Sequence, residues 1–249
     1  MNMDKGKWLR AGERIDDLQC GGYELIQQPE RFCFGVDAVL LAHYATIKER
    51  DRVLDLGTGT GVIPILQCAR NKRASFVGLE IQEDSADMAN RSVSMNGLND
   101  RIQIVNGDIK EVASLFDAAS FQVVTSNPPY MVKGDGLIND TEPKTIARHE
   151  ILCTLNDVVS AASRMLKQNG RFYMIHKPFR LPEIISVMLS YHIEPKELRM
   201  VHPYVDKEPS MVLIGGVKGG RPRMKVAPPL ILYKDKQIYS DEVYRIYNK

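Results

Sequence analysis

The chain has 249 residues, is 44% hydrophobic and 26% charged, and carries a formal net charge of +2. That composition supports one sizeable core and excludes a wholly disordered chain. No apolar run approaches the ~20 residues of a membrane span, and the polar start Met1-Asn2-Met3-Asp4-Lys5 leads into nothing that reads as a secretion signal, so a cytoplasmic protein is expected.

In chain order, residues 1–31 are polar and mixed, with Gly21-Gly22 and Pro29 as turn signals. Residues 38–45 read as a short helix with Asp37 as its cap. A short apolar strand over 51–56 ends in glycines and is followed by helix over 62–70. Residues 75–80 form the second strand, 82–96 the second helix, closed by Gly97. Strands over 101–105 and 121–125 follow, with a helix beginning at Ile109 between them. A long loop spans residues 126–148. A helix over 150–167 ends before Asn169-Gly170, and a fifth strand covers 171–176. The pattern closes with helix over 181–190 and strands over 194–201 and 210–217; the remaining tail has no assignable fold. Strands alternating with helices indicate right-handed βαβ units and a largely parallel sheet, whose ligands sit beyond the carboxyl ends of the strands.

The polar motifs fall at those ends. Asp55-Leu56-Gly57-Thr58-Gly59-Thr60-Gly61 has glycines spaced by two. A dinucleotide fingerprint needs its third glycine at position 62, which is Val62, and no P-loop GK[ST] follows. Gly57, Gly59 and Gly61 let the backbone turn and pass close to a ligand, and the helix start behind them offers N–H groups to an amino-acid carboxylate. Glu80 ends the second strand, where a carboxylate can accept from both hydroxyls of a ribose. Asp108, after Asn106-Gly107, can accept from an adenine amino group or simply cap the helix at Ile109. Asp55 can hold the glycine loop or meet an ammonium group. Phe34 and Asp37 lie upstream, in a segment from which a cover over the site could come, although spacing alone does not show one.

Asn127-Pro128-Pro129-Tyr130, directly after the fourth strand, is the most specific signal. A planar amino or amide nitrogen is a poor nucleophile because its lone pair is delocalised. The Asn127 side-chain oxygen can accept one N–H and the Pro128 main-chain carbonyl the other. Together they orient the nitrogen and stabilise its developing charge. Tyr130 offers a flat face for a base, worth ~1–3 kcal/mol. In the loop beyond, Lys133, Lys144, Arg148 and His149 are placed to touch a substrate, Lys133 and Arg148 as phosphate contacts. The five histidines have no metal-ligand spacing, so no metal is expected; the four cysteines, none in a CxxC pair, read as reduced thiols.

At these motifs the chain resembles the class I methyltransferases with an (N/D)PP(Y/F) active site. Within that group it is similar to the bacterial tRNA adenine-N6 methyltransferases that act just 3′ of the anticodon of a valine tRNA. The likeness rests on Phe34-Gly35-Val36-Asp37-Ala38-Val39-Leu40-Leu41, the glycine motif, Glu80, Asn106-Gly107-Asp108 and Ser126-Asn127-Pro128-Pro129-Tyr130. It extends to Pro229-Leu230-Ile231 and Tyr239-Ser240-Asp241-Glu242-Val243-Tyr244.

The resemblance implies a Rossmann-like α/β fold: a seven-stranded, mostly parallel sheet with helices on both faces and the last strand antiparallel. It implies S-adenosylmethionine as methyl donor. Asp55 and the glycine loop would hold its methionine part, Glu80 its ribose and Asp108 its adenine, with Phe34 and Asp37 closing the site. Asn127, Pro128 and Tyr130 would hold the target base, with Asn127 also beside the cofactor.

Three parts are expected: residues 1–50 as a cover over the cofactor site, 51–217 as the methyltransferase domain, and 218–249 as a basic extension packed on it. From Gly215 to Lys249 there are eight Lys or Arg against three Asp or Glu, an excess of five positive charges suited to a polyanion such as tRNA. The alternatives are an N5-glutamine methyltransferase acting on a release factor, an enzyme for amino groups of ribosomal RNA or DNA bases, and a non-enzymatic RNA-binding scaffold. The glutamine enzymes usually carry a separate N-terminal helical domain, which the roughly 50 residues before the first strand do not provide. Nothing in the sequence sets the oligomeric state, and a monomer is the default.

Overall fold

A nine-stranded sheet organises the chain, and the computed structural model describes residues 5–30, 33–128 and 153–247 of it. An N-terminal antiparallel hairpin, β1 (Arg14–Asp17) and β2 (Glu24–Gln27), comes first. Helix α1 (Val36–Tyr44) leads into β3 (Arg52–Leu56), α2 (Val62–Arg70), β4 (Ser75–Glu80), α3 (Glu83–Met95) and β5 (Ile102–Asn106). A 3₁₀ turn at Ile109–Glu111 runs into the short α4 (Val112–Leu115), then β6 (Phe121–Ser126). Beyond lie α5 (Leu155–Met165), β7 (Leu166–His176), α6 (Leu181–Ser190), β8 (Ile193–His202) and β9 (Met211–Lys218). The C-terminal segment forms β10 (Lys225–Val226), β11 (Leu230–Ile231), β12 (Tyr233–Asp235), β13 (Ile238–Tyr239) and α7 (Asp241–Ile246).

The seven long strands lie in the order β5-β4-β3-β6-β7-β9-β8, and β9 runs antiparallel to both neighbours while the others pair in parallel. This is the expected sheet; β10 and β11 extend it along the outer edge of β8. Period-2 alternation sends neighbouring residues to opposite cores. On one face Val53, Phe76, Val123, Tyr173 and Ile175 pack with α1, α2 and α7. On the other, Leu54, Val77, Val124, Phe172 and Met174 pack with α5 and α6. The strand order reverses between β3 and β6, which opens a crevice at their carboxyl ends.

Three expectations are corrected. Helix α1 starts two residues earlier than read, with extended Gly35 at the cap position, so Asp37 lies inside the first turn. The helix after Asp108 is a 3₁₀ turn of three residues. Helix α5 stops at Met165, and Asn169-Gly170 lies within β7. There Asn169 takes φ +61° and the register with β6 shifts, because Leu166 already pairs with Phe121 before Arg171 pairs with Val123. The polar 1–31 segment contains a real hairpin, bolted to α3 by a two-pronged Arg91–Glu13 pair at 2.7 and 2.6 Å and by Ser92 and Asn96.

Candidate active site at the β3–β6 crevice

Three strand ends are stitched together around Glu80. The amides of Gly57 and Thr58 donate to the Leu79 carbonyl at 2.9 and 3.0 Å, which folds the glycine loop over β4. The Gly59 amide donates to Glu80 Oε2 at 2.8 Å and the Gln82 amide to Oε1 at 2.9 Å. From β5, the Gly107 amide and the Asn106 side chain donate to the Glu80 carbonyl at 2.9 and 2.8 Å. Glu80 is 5% exposed, and each carboxylate oxygen retains a second lone-pair direction for another donor.

The loop presents open space. Gly57 and Gly59 have φ of +73° and +56°, and a Cβ added to either would meet nothing within 4 Å. Gly78 in β4 is a residue that sequence reasoning passed over. A Cβ there would sit 2.7 Å from Thr58 Cγ2, so its absence lets the loop settle on the sheet. Gly61 caps α2 at φ +84°, where a Cβ would approach Ala89 Cβ at 3.2 Å.

Asp55 lies opposite Thr125 in the β3–β6 register and is 1% exposed. Its Oδ1 accepts from the Thr125 hydroxyl at 2.6 Å, while Oδ2 has no hydrogen-bond partner among the described residues. Burial pushes this carboxyl up to about 7, against the opposing pull of the neighbouring Thr125 and Thr58 hydroxyls and with a smaller push from Glu80. A buried carboxylate oxygen lacking a donor, beside a loop with room in front of it, fits a ligand that brings a cationic donor such as an ammonium group.

Asp108 caps the 3₁₀ turn, its Oδ1 accepting from the Lys110 amide at 2.8 Å, with Lys110 Nζ 3.8 Å from Oδ2. Capping consumes one acceptor direction of four and leaves the expected adenine contact chemically open.

Asn127 follows β6, whose last residue, Ser126, donates from its hydroxyl to the Leu56 carbonyl at 2.9 Å. The Asn127 amide nitrogen donates to Asp37 Oδ2 at 3.0 Å, which joins the upstream segment to the motif across the crevice. Ninety positions separate the pair, and no local spacing could have revealed it. Pro128 follows, half-buried. Tyr130, Lys133, Lys144, Arg148 and His149 lie outside the described residues. Phe34 donates its amide to the Gln27 side chain at 2.8 Å and lines a cleft of about 290 Å³ with Gln19, Tyr239 and Tyr247. Among the described residues, no group of His, Cys, Asp and Glu is arranged to hold a metal ion, and no helix is long and apolar enough to cross a membrane.

Residues 35–193 match the model of the methyltransferase small domain. A tRNA1(Val) (adenine(37)-N6)-methyltransferase of Porphyromonas gingivalis is 31% identical over 185 residues, 72% of each chain. The protein of the same name from Bacteroides thetaiotaomicron is 31% identical over 160 residues, 64% of this chain and 65% of the relative. Among solved structures, a predicted O-methyltransferase of Agrobacterium tumefaciens shares the fold with a TM-score of 0.70 at 24% identity, over 85% of this chain and 95% of that one. The matched span runs from the start of α1 to the start of β8 and so contains the glycine loop, Glu80, Asp108 and Asn127: this chain belongs to the methyltransferase small domain family.

Proposed function

We propose that the chain transfers a methyl group from S-adenosylmethionine to the exocyclic N6 of an adenine in tRNA, the adenine 3′ of the anticodon of a valine tRNA. The observation that carries this reading is the placement of Asn127 at the strand-order reversal, beside the glycine loop, with its amide nitrogen already engaged by Asp37. The names of the relatives from Porphyromonas and Bacteroides support the substrate.

The donor supplies an electrophilic methyl group on a sulfonium. Asp55 would take its ammonium group, the amides behind Gly57, Gly59 and Gly61 its carboxylate, Glu80 its ribose hydroxyls and Asp108 its adenine. Asp37, with Phe34 in the same 1–50 segment, would cover this side of the crevice, and residues 51–217 would form the catalytic unit. Asn127 accepts one N–H of the target amine through Oδ1, and the Pro128 carbonyl accepts the other. Two acceptors in fixed positions turn the nitrogen lone pair toward the methyl group and stabilise the positive charge that grows on nitrogen. Once methylated, the cationic nitrogen passes its extra proton to water, so the scheme needs no strong base. Tyr130 would stack on the base. An anticodon-loop adenine is partly unstacked, so presenting it costs little. The 218–249 extension would attract the RNA backbone, and the four free cysteines suit a reducing cytoplasm.

The test is incubation with tritiated S-adenosylmethionine and bulk tRNA from a strain lacking the gene, followed by nucleoside separation. Label in N6-methyladenosine is expected. Label absent from tRNA but present in a release factor, in ribosomal RNA or in DNA would overturn the substrate assignment.

A further inference from the structure

We propose that Asp37 is a positioning residue for methyl transfer, fixing which end of the Asn127 amide is offered to the substrate amine. This rests on the reading of Asn127 as the amine acceptor and adds a control on it.

The two ends of an asparagine amide are nearly equal in size and opposite in hydrogen-bonding character. With its oxygen toward the substrate, Asn127 accepts an N–H; turned over, it opposes that N–H with two of its own. A carboxylate only accepts, so it selects one orientation. Asp37 Oδ2 takes the Asn127 amide nitrogen at 3.0 Å, which commits Oδ1 to the other side.

The carboxylate is itself held. Asp37 is 9% exposed, and its Oδ1 accepts from the Ala38 amide at 2.9 Å. It stands in the first turn of the nine-residue α1, where the helix dipole favours a negative charge. The helix is anchored by Ala38, Val39, Leu40 and Leu41, all buried in the core. Gly35 supplies an independent observation. Its φ is −105°, open to any residue, yet a Cβ there would lie 2.8 Å from Asp37 Oδ1. Glycine at that position therefore keeps space for the carboxylate rather than relieving the backbone. The pattern Gly35-Val36-Asp37 thus acquires a chemical reason.

The experiment compares wild type, Asp37→Asn, Gly35→Ala, Asn127→Ala and the Asp37→Asn/Asn127→Ala double variant. It uses unmodified valine tRNA transcript for kcat and KM, and calorimetry for S-adenosylmethionine affinity. Asp37→Asn keeps the shape but can face Asn127 with either end. It is expected to lower kcat about 10- to 100-fold, the range seen when a group orienting a reactive ligand is removed, with KM for tRNA and donor affinity near wild type. Gly35→Ala, which pushes on the carboxylate without changing charge, should lower kcat in the same direction with donor affinity retained. The double variant should turn over no more slowly than Asn127→Ala, because Asp37 has nothing left to orient. Losses that multiply in the double variant, or a loss confined to donor affinity, would overturn the role given to Asp37 while leaving the methyl-transfer reading intact. Wild-type turnover in Asn127→Ala would remove both.

Discussion

The strand-end face over β3, β4 and β5 and the C-terminal segment from Gly219 to Tyr247 are held by different forces. At the strand ends polar side chains are spent on hydrogen bonds within the motif: Glu80 takes two amides, Asn106 reaches the Glu80 carbonyl, Ser126 reaches the Leu56 carbonyl, and Thr125 reaches Asp55. The C-terminal segment has little ladder of its own. It borrows the edge of β8, buries Leu230, Leu232, Val243 and Ile246 against the α1 face, and stacks Tyr233, Tyr239 and Tyr247 at 5.1 and 5.7 Å between ring centroids. Arg199 ties it down through the Pro228 carbonyl and Glu242. The first region is determined by hydrogen bonding within a motif, the second by apolar burial against distant residues. Substitutions should therefore separate chemistry from stability.

The largest effect is expected at Asn127. Asn127→Ala should lower kcat about 10²- to 10³-fold, the cost of losing one oriented partner for developing charge, with the melting temperature close to wild type. Ile246→Ala should do the reverse. Ile246 is 3% exposed, and its truncation should cost about 2 kcal/mol, near the lower end for a buried Ile because a terminal helix can resettle. Denaturant titration measures that loss, while kcat per folded molecule should fall far less than in Asn127→Ala. A stability loss in the first variant, or a kcat collapse in the second, would erase the division between the two regions.

A smaller effect tests the strand-end face by pH. Burial raises the Asp55 carboxyl from an unfolded value near 3.8 to about 7 in the ligand-free fold. The folded state then holds the proton more tightly than the unfolded one. The resulting stability is fully present below the unfolded value and is lost as pH rises through about 7. A cationic ligand group favours the ionised form, so donor affinity should strengthen over the same window. Relative to Asp55→Asn, wild-type affinity should gain about tenfold between pH 6 and pH 8, the change in ionised fraction for a group near 7. The comparison cancels the ligand's own titration, and a pH-independent ratio would exclude Asp55 as the ammonium partner.

The strand-end face was far more legible in the sequence than the C-terminal segment, for physical reasons. Strands β3, β4 and β6 declare themselves as short buried runs, and helix α2 follows the glycine motif directly. Their ends carry Asp55, Glu80 and Asn127 because parallel register brings strand ends level. The hairpin strand Arg14–Asp17 is short and polar, and the hairpin docks on α3, far along the chain, through Glu13 on Arg91 and Ile26 on Ser92. Lys167-Gln168-Asn169-Gly170 looks locally like a helix end, yet pairing of Leu166 with Phe121 draws it into β7. The Asp37–Asn127 bond escaped for the same reason: spacing along a chain cannot report a contact created by the topology.

The smallest effect concerns the charge of the C-terminal segment. Arg221, Arg223 and Lys225 are exposed on the approach to and within β10, at the outer edge of the sheet. Lys234 is instead paired with Asp241 at 3.1 Å, which leaves less of its charge for a partner. If the exposed trio meets RNA backbone, each neutralised phosphate releases counterions, and binding falls with salt in proportion to their number. Replacing all three with Ala should raise KM for tRNA at 150 mM salt with kcat nearly unchanged. It should also flatten the log–log salt dependence of tRNA affinity by about one unit for every phosphate no longer neutralised. Lys234→Ala should leave that slope almost unaltered. Equal slopes for wild type and the triple variant would confine RNA attraction to other surfaces and leave the segment's role as packing against α1 and β8.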